Sequence, residues 1–200
     1  MSLRAALLAL ISSGPSTGYD AAKRFGATVG HLWHAPDSQI YPELRRMESD
    51  GLLSAEQVPW GKKHATKTQY TITDAGRAAL TDWQNTPLTY MPDRDEAHLL
   101  AAYFEWAPDP EAPRARLAEH IAYFTQARDS ALAQIAGIDE RTNATLVQRL
   151  AASDASQHQR IVSFKRLAYA GKIARAEAEI AWAAEGLRLL DELESDASLP

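Results

Sequence analysis

The chain of 200 residues has the composition of an ordinary globular protein and contains no cysteine. Hydrophobic residues make up 46% and charged residues 24%, which supplies enough apolar side chain for a core and excludes a disordered chain. The lack of cysteine excludes disulfide frameworks, thiolate metal sites and cysteine nucleophiles. The longest apolar stretch near the start, Ala5–Ile11, is far shorter than the ~20 residues of a membrane span. We therefore expect a soluble, cytoplasmic protein with no membrane partner.

Two short helices are expected at the start of the chain. The segment Leu3–Ile11 is rich in alanine and leucine at helical spacing, and Ser12–Pro15 ends it. A hydroxyl within Ser16–Gly18 can then cap a second helix that continues to about Phe25. Together they predict a helix–turn–helix pair.

A third helix is expected from Asp37 or Ser38 to about Ser49. At 100° per residue, Ile40, Leu44 and Met47 share one stripe and should face the core. The opposite, small, polar and basic face carries Ser38, Pro42, Arg45, Arg46 and Ser49, with Gln39 and Tyr41 at its edges.

A β-hairpin with a basic tip is expected next. Leu52–Pro59 alternates weakly, and Thr68–Thr73 has the β-branched and aromatic residues typical of a strand. The connection between these strands carries Lys62, Lys63, His64 and Lys67. Thr73 then caps a fourth helix that runs to about Gln84.

After Pro87 the sequence becomes almost entirely helical, with patterns at residues 95–106, 111–138 and 156–194. The last two are far longer than the ~10–14 residues of an average helix. They predict either an intramolecular bundle or, as we favour, a dimerisation arm. We therefore divide the chain into a domain of residues 1–86, with a net charge of +1, and a helical dimerisation domain of residues 87–200, with a net charge of −6.

The order of three helices and a basic hairpin predicts a winged helix–turn–helix, so the fold class is mostly α with a small β-hairpin. In that fold the third helix enters the major groove of DNA and the hairpin, or wing, lies along the backbone. The candidate DNA-binding residues are Ser38, Gln39, Tyr41, Pro42, Arg45, Arg46, Lys62, Lys63, His64 and Lys67. Three alternatives stay open: Tyr41 packs at the base of the helix, the arginines pair with Glu48 or Asp50, and the lysines form an ordinary solvated loop.

The motifs at residues 38–52 (SQIYPELRRMESDGL) and 70–76 (YTITDAG) resemble the PadR-like family of bacterial transcriptional regulators. Residues 88–194 are similar to the C-terminal domain of its subgroup related to virulence-gene activators. The resemblance implies a homodimer that reads a palindromic site and represses nearby genes. It also implies a last helix swapped against the partner's first helix, and a DNA-facing Ser38, Gln39, Tyr41, Pro42 and Arg45. The wing at residues 61–68 departs from the family's common pattern.

Other chemistry has little support in the sequence. It contains no nucleophile elbow, phosphate-binding glycine loop, zinc-protease motif or dinucleotide fingerprint, so we expect neither an enzyme nor a cofactor. His31 and His34 lack a third ligand at metal-site spacing, so no metal site is expected. A set of four aromatic residues either lines an effector pocket or packs in the core or a dimer interface: Tyr103, Phe104, Trp106 and Trp182.

Two alternative functions stay open. The first is a protein-interaction module without DNA binding, and the second is a switch that responds to an aromatic or hydrophobic ligand.

Overall fold

The computed structural model describes residues 3–31, 35–60, 65–90 and 95–197. The chain forms two compact units. The first, here the winged unit, contains Met1–Leu88 together with Gly137–Lys165. The second, here the helical unit, contains Thr89–Ala136 and Arg166–Pro200. The winged unit thus takes in a later segment of chain beyond residues 1–86, and the predicted domain assignment stays a prediction.

The winged unit begins with three helices: α1 (Leu3–Ile11), α2 (Gly18–Ala27) and α3 (Asp37–Ser49). A short 3-10 turn, Val29–His31, follows α2. Thr17 caps α2 because its hydroxyl accepts a hydrogen bond from the Asp20 backbone N–H at 3.2 Å. The three predicted helices are therefore confirmed.

A three-stranded antiparallel sheet completes this part of the unit. Strands β2 (Leu53–Trp60) and β3 (Ala65–Ile72) form the predicted hairpin, in register from Leu53↔Ile72 to Trp60↔Ala65. Strand β1 (Ser16–Thr17) pairs with the other edge of β3 and was not predicted. Its two hydroxyl residues carry no hydrophobic alternation, so only pairing with β3 makes them a strand.

The core confirms the predicted inward face of α3. Ile40, Leu44 and Met47 are at most 1% exposed and pack with apolar residues from the other elements of the unit. Helix α4 (Asp74–Asn85) closes this core, and the Thr73 hydroxyl caps it by accepting from the Gly76 N–H at 3.1 Å. These contacts hold α3 with one face buried and the opposite face exposed.

The rest of the described chain is helical: α5 (Glu96–Ala101), a 3-10 turn (Phe104–Trp106), α6 (Ala112–Asp139), α7 (Ala144–Ala151) and α8 (Ala155–Ala197). The single helical pattern expected at 95–106 was wrong, because α5 ends at Ala101 and Tyr103 leaves helical backbone angles. Helix α7 was not predicted, although Asn143 caps it with its side chain and Leu146 and Leu150 are buried beneath it. None of the described helices combines the length and apolarity that crossing a bilayer requires.

Within the helical unit, α6 and α8 run antiparallel. Arg114 near the start of α6 lies 2.8 Å from Asp191 and 3.0 Å from Glu194 near the end of α8. Further along, Leu117 packs on Gly186, where an added Cβ would come within 2.9 Å of the leucine Cδ1. The two long helices therefore form an intramolecular pair, one of the two alternatives left open from sequence.

Candidate nucleic-acid interface

Helix α3 presents the predicted polar and basic face to solvent. Ser38, Gln39, Arg45 and Arg46 are exposed, whereas Tyr41 and Pro42 are half-buried. Because Ile40, Leu44 and Met47 anchor the opposite side, the helix cannot turn this face inward without unpacking the core. The arrangement thus holds two guanidinium groups at the surface of a rigid element.

Two acidic residues near this face are held by a different arginine. Arg4 of α1 places Nε 2.7 Å from Oε1 of Glu43 and a terminal nitrogen 2.8 Å from Oδ2 of Asp50. Arg46 approaches Glu43 only to 3.8 Å, and its side chain is 74% exposed. Among the described residues, Arg45 forms no ion pair at all, and neither Arg45 nor Arg46 pairs with Glu48 or Asp50. The charge of the α3 face therefore stays available to an external anion.

Tyr41 packs against the start of α2. Its Cε1 atom would lie 2.8 Å from a Cβ built on Gly18, so glycine at that position leaves room for the ring. The ring is half-buried, and its contact with DNA stays a prediction.

Lys67 lies within β3 and not in the connection between the strands as expected, because the β-ladder with β2 extends to Ala65. Its ammonium lies 3.8 Å from the centre of the Trp60 ring and 3.8 Å from Oδ2 of Asp20, and the side chain is 29% exposed. A phosphate at Lys67 must therefore compete with a carboxylate and an aromatic face. Lys62, Lys63 and His64 lie outside the described residues, so their DNA contacts stay a prediction.

The four aromatic residues expected at an effector pocket are spread out. Tyr103 and Trp106 are 58% and 81% exposed, and Phe104 is half-buried. Trp182 instead contacts two imidazoles, those of His98 at 3.9 Å and His120 at 5.2 Å between ring centres. In the described part of the chain no ring contact joins Trp182 to the other three, and the effector pocket stays a prediction.

The structure contains two clusters of polar residues that the sequence did not predict. An open cleft of about 370 Å³ in the winged unit is lined by Asp20, Lys23 and Arg24 of α2 and by residues of α7. Burial lowers the pKa of the Arg24 guanidinium, which donates to the carbonyl of Leu10 at 2.9 Å. Residues of α7 form one side of this cleft, and the sequence analysis did not predict α7.

The second missed feature is a cluster of Asp95, His98 and Glu179 in the helical unit. It joins residues about 80 positions apart, so no local spacing could signal it. His31 and His34, the pair considered in the sequence, cannot be compared with it, because the side chain of His31 and all of His34 lie outside the described residues.

Comparison with known proteins shows which regulators the N-terminal part of the chain resembles. Residues 7–82 match the sequence model of the transcriptional regulator PadR-like family. The negative transcriptional regulator PadR of Bacillus subtilis is 38% identical over 106 residues, which is 51% of this chain and 56% of that protein. This chain spans about half the length of the curated relatives it matches.

Solved structures resemble nearly the whole chain. Bacillus subtilis PadR in complex with operator DNA has a TM-score of 0.68 at 24% identity, over 94% of this chain and 98% of that one. The same protein in complex with p-coumaric acid has a TM-score of 0.59. The Vibrio cholerae virulence activator AphA has a TM-score of 0.61 at 28% identity, over 96% of this chain and 99% of that one. The sequence comparisons and the solved structures thus agree on PadR-like transcriptional regulators as the proteins that this chain resembles.

Proposed function

We propose that this protein is a sequence-specific DNA-binding transcriptional regulator that uses α3 and the β2–β3 hairpin. The observation that carries the proposal is the exposed basic face of α3, whose opposite face is buried in the core. A recognition helix needs this combination of rigid support and outward donors. The 38% identity to a negative transcriptional regulator supports the same reading.

Each candidate residue has a role that its chemistry allows. The planar guanidinium of Arg45 can donate two hydrogen bonds to a guanine edge or to a phosphate. Ser38 and Gln39 lie in the first turn of α3, where backbone N–H groups and short polar side chains suit a phosphate. Lys62, Lys63 and His64 lie in the sequence between β2 and β3, and each phosphate contact from them would add about 0.9 to the salt slope of binding.

The proposal includes a homodimer assembled through α8, because this helix has two apolar stripes. The buried stripe repeats every seven residues at Val162, Tyr169, Ala176 and Ala183. The large exposed residues Phe164, Leu167, Leu189 and Leu193 fall on the opposite side, within an arc of about 80° at 100° per residue. A second copy of the chain is the occupant proposed for this stripe, and two winged units would then match a palindromic operator.

Repression and its relief by a small ligand complete the proposal. The relatives include a negative regulator, and PadR has been solved with p-coumaric acid. A small aromatic or hydrophobic effector can release DNA only if it binds the two arrangements of the protein with different affinity. Thermal-shift screening with phenolic compounds tests this part, and a screen without a ligand-induced shift would contradict it.

The central test is a fluorescence-anisotropy titration with the DNA upstream of the protein's own gene, against a scrambled duplex. We expect tight binding to the upstream DNA and much weaker binding to the scrambled one. Replacing both Lys62 and Lys63 by alanine should weaken binding and reduce the salt slope by about 0.9 for every phosphate that is no longer neutralised. The control pair Arg116→Ala and Lys172→Ala lies on α6 and α8 and should leave both quantities unchanged. Equal binding of both duplexes, or none, would favour a protein-interaction module.

A further inference from the structure

We propose that the helical unit contains a binding site for a divalent transition metal of the zinc class, with His98, His120 and Glu179 as ligands and Asp95 as an orienting residue. Helices α5, α6 and α8 each supply one ligand. The proposed DNA-binding function does not require this metal site, so each proposal can be tested independently of the other.

The donor atoms converge on one carboxylate oxygen. Oε2 of Glu179 lies 3.2 Å from Nε2 of His120 and 3.9 Å from Nε2 of His98. Ligand atoms on a tetrahedral zinc ion lie about 3.4 Å apart when each bond is about 2.0–2.1 Å long. Both measured distances from Oε2 of Glu179 lie within about 0.5 Å of this spacing.

Asp95 lies beside the imidazole of His98 that would face the metal. Its Oδ1 atom accepts from the N–H groups of Ala97 and His98 and so caps α5. Its Oδ2 atom lies 2.7 Å from Nδ1 of His98, which leaves Nε2 of the same ring directed toward Glu179. A carboxylate on one ring nitrogen and a metal on the other is the usual arrangement of zinc-binding histidines.

The surroundings favour a bound cation. The side chains of Glu179 and His120 are only 12% and 14% exposed, so an ion there would be largely shielded from water. The Trp182 ring packs on both imidazoles and restricts their orientations. Arg175 is the positive group nearby, but its Nε is 3.9 Å from Oε1 of Glu179 and its side chain is 70% exposed, so it can withdraw.

The donor set points to the class of metal. Two imidazoles and one carboxylate suit zinc, cobalt, nickel or copper, whereas calcium and magnesium prefer sites made of oxygen alone. Three protein ligands leave a fourth position for water or another ligand. An ion bound here would join α5, α6 and α8 and stabilise the folded unit by mass action.

The test is a titration of the metal-free full-length protein with Co²⁺, followed by competition with Zn²⁺. We expect visible d–d absorption that saturates at one Co²⁺ per chain and is displaced by Zn²⁺, and a higher melting temperature with Zn²⁺. Glu179→Gln and His120→Asn should abolish both effects. Asp95→Asn keeps a good helix cap, so it should fold normally and bind about 10–100-fold more weakly.

The matched control is Glu177→Gln, which alters an exposed carboxylate two residues away on the same helix. It should bind Co²⁺ and Zn²⁺ as the wild type does. Absence of saturable binding in the wild type would overturn the proposal. So would undiminished binding in Asp95→Asn and Glu179→Gln, because the metal would then be held by histidines elsewhere.

Discussion

Neighbouring arginines on α3 differ in what surrounds them. Arg46 has a distant carboxylate, Glu43, at 3.8 Å, and that carboxylate is already bound by Arg4 at 2.7 Å. Arg45 has no ion-pair partner in the described part of the chain. Forming a DNA contact at Arg45 therefore requires no ion pair within the described chain to be broken.

The first prediction concerns this residue. Arg45→Ala should weaken binding to the specific operator by about 1–3 kcal/mol and reduce discrimination against other sequences. Parallel anisotropy titrations with operator and scrambled DNA measure both effects. Arg116→Ala, which removes an exposed arginine from α6, serves as the control. Unchanged specific affinity in Arg45→Ala would remove this residue from the interface.

Lys165 is a residue whose charge opposes folding. Burial, reinforced by the positive charge of Arg149, lowers the pKa of its ammonium group to about 8, and Nζ donates to Oδ1 of Asn143 at 3.1 Å. An unfolded lysine keeps its proton up to a pKa of about 10.4. Between these values the unfolded chain binds more protons, so the free energy of unfolding should rise with pH.

The second prediction is that Lys165→Met abolishes this rise. Urea unfolding at several pH values from 7.5 to 9.5 measures it, below the range where the buried hydroxyls of Tyr70 and Tyr169 ionise, since burial raises their pKa. Lys172→Met, at an exposed position on the same helix, should keep the wild-type rise. Identical pH dependence in both variants would show that Lys165 keeps an ordinary pKa.

Helix α4 makes a very close backbone contact with the segment that enters β2. A Cβ built on Gly76 would lie 2.2 Å from the carbonyl oxygen of Leu52 and 2.8 Å from Cγ1 of Ile72. Thr73 caps α4 and its hydroxyl also donates to the Gly51 carbonyl at 2.7 Å. The start of the helix is therefore fixed against the segment that enters β2, and only glycine fits at the point of contact.

The third prediction compares two glycines in the winged unit. Gly76→Ala should destabilise the protein by about 1–3 kcal/mol because the backbone of β2 or α4 must shift. Gly26→Ala in α2 meets no atom within 4 Å and should be neutral or stabilising by up to about 1 kcal/mol. Denaturant unfolding of both variants distinguishes these outcomes. Equal stability of the two variants would contradict the close approach of α4 to Leu52.

At the scale of the whole molecule, the unpaired stripe of α8 is the main feature that a single chain leaves unexplained. Phe164, Leu167, Leu189 and Leu193 are each more than half exposed. Scattered exposed leucines are ordinary, but an aligned set opposite a buried heptad stripe is typical of an association surface. This is the physical basis of the proposed homodimer.

The fourth prediction tests the dimer. Sedimentation equilibrium should give about twice the chain mass of 22.0 kDa. Leu193→Glu should raise the dimer dissociation constant at least about tenfold, because it places a charge in an apolar contact. Leu88→Glu, at a leucine that is 73% exposed outside α6 and α8, is the control. A monomeric wild-type protein would contradict the proposal that a dimer binds a palindromic operator.

Local patterns determined most of the winged unit. The inward stripe of α3, the hydroxyl caps of α2 and α4, and the two strands of the β2–β3 hairpin each follow from a short stretch of sequence, so the sequence alone predicted them. The exposed face of α3 followed from the same periodicity. These signals are local because helical and strand periods repeat within one element.

Contacts between distant segments of the chain could be identified only from the tertiary structure. Strand β1 exists because β3 offers it a free edge, and Lys67 is engaged by Asp20, a residue 47 positions earlier in the chain. Arg4 holds the carboxylates that would otherwise neutralise α3, and three helices bring His98, His120 and Glu179 together. Such contacts depend on how elements pack, and the amphipathic pattern of each element is compatible with several packings.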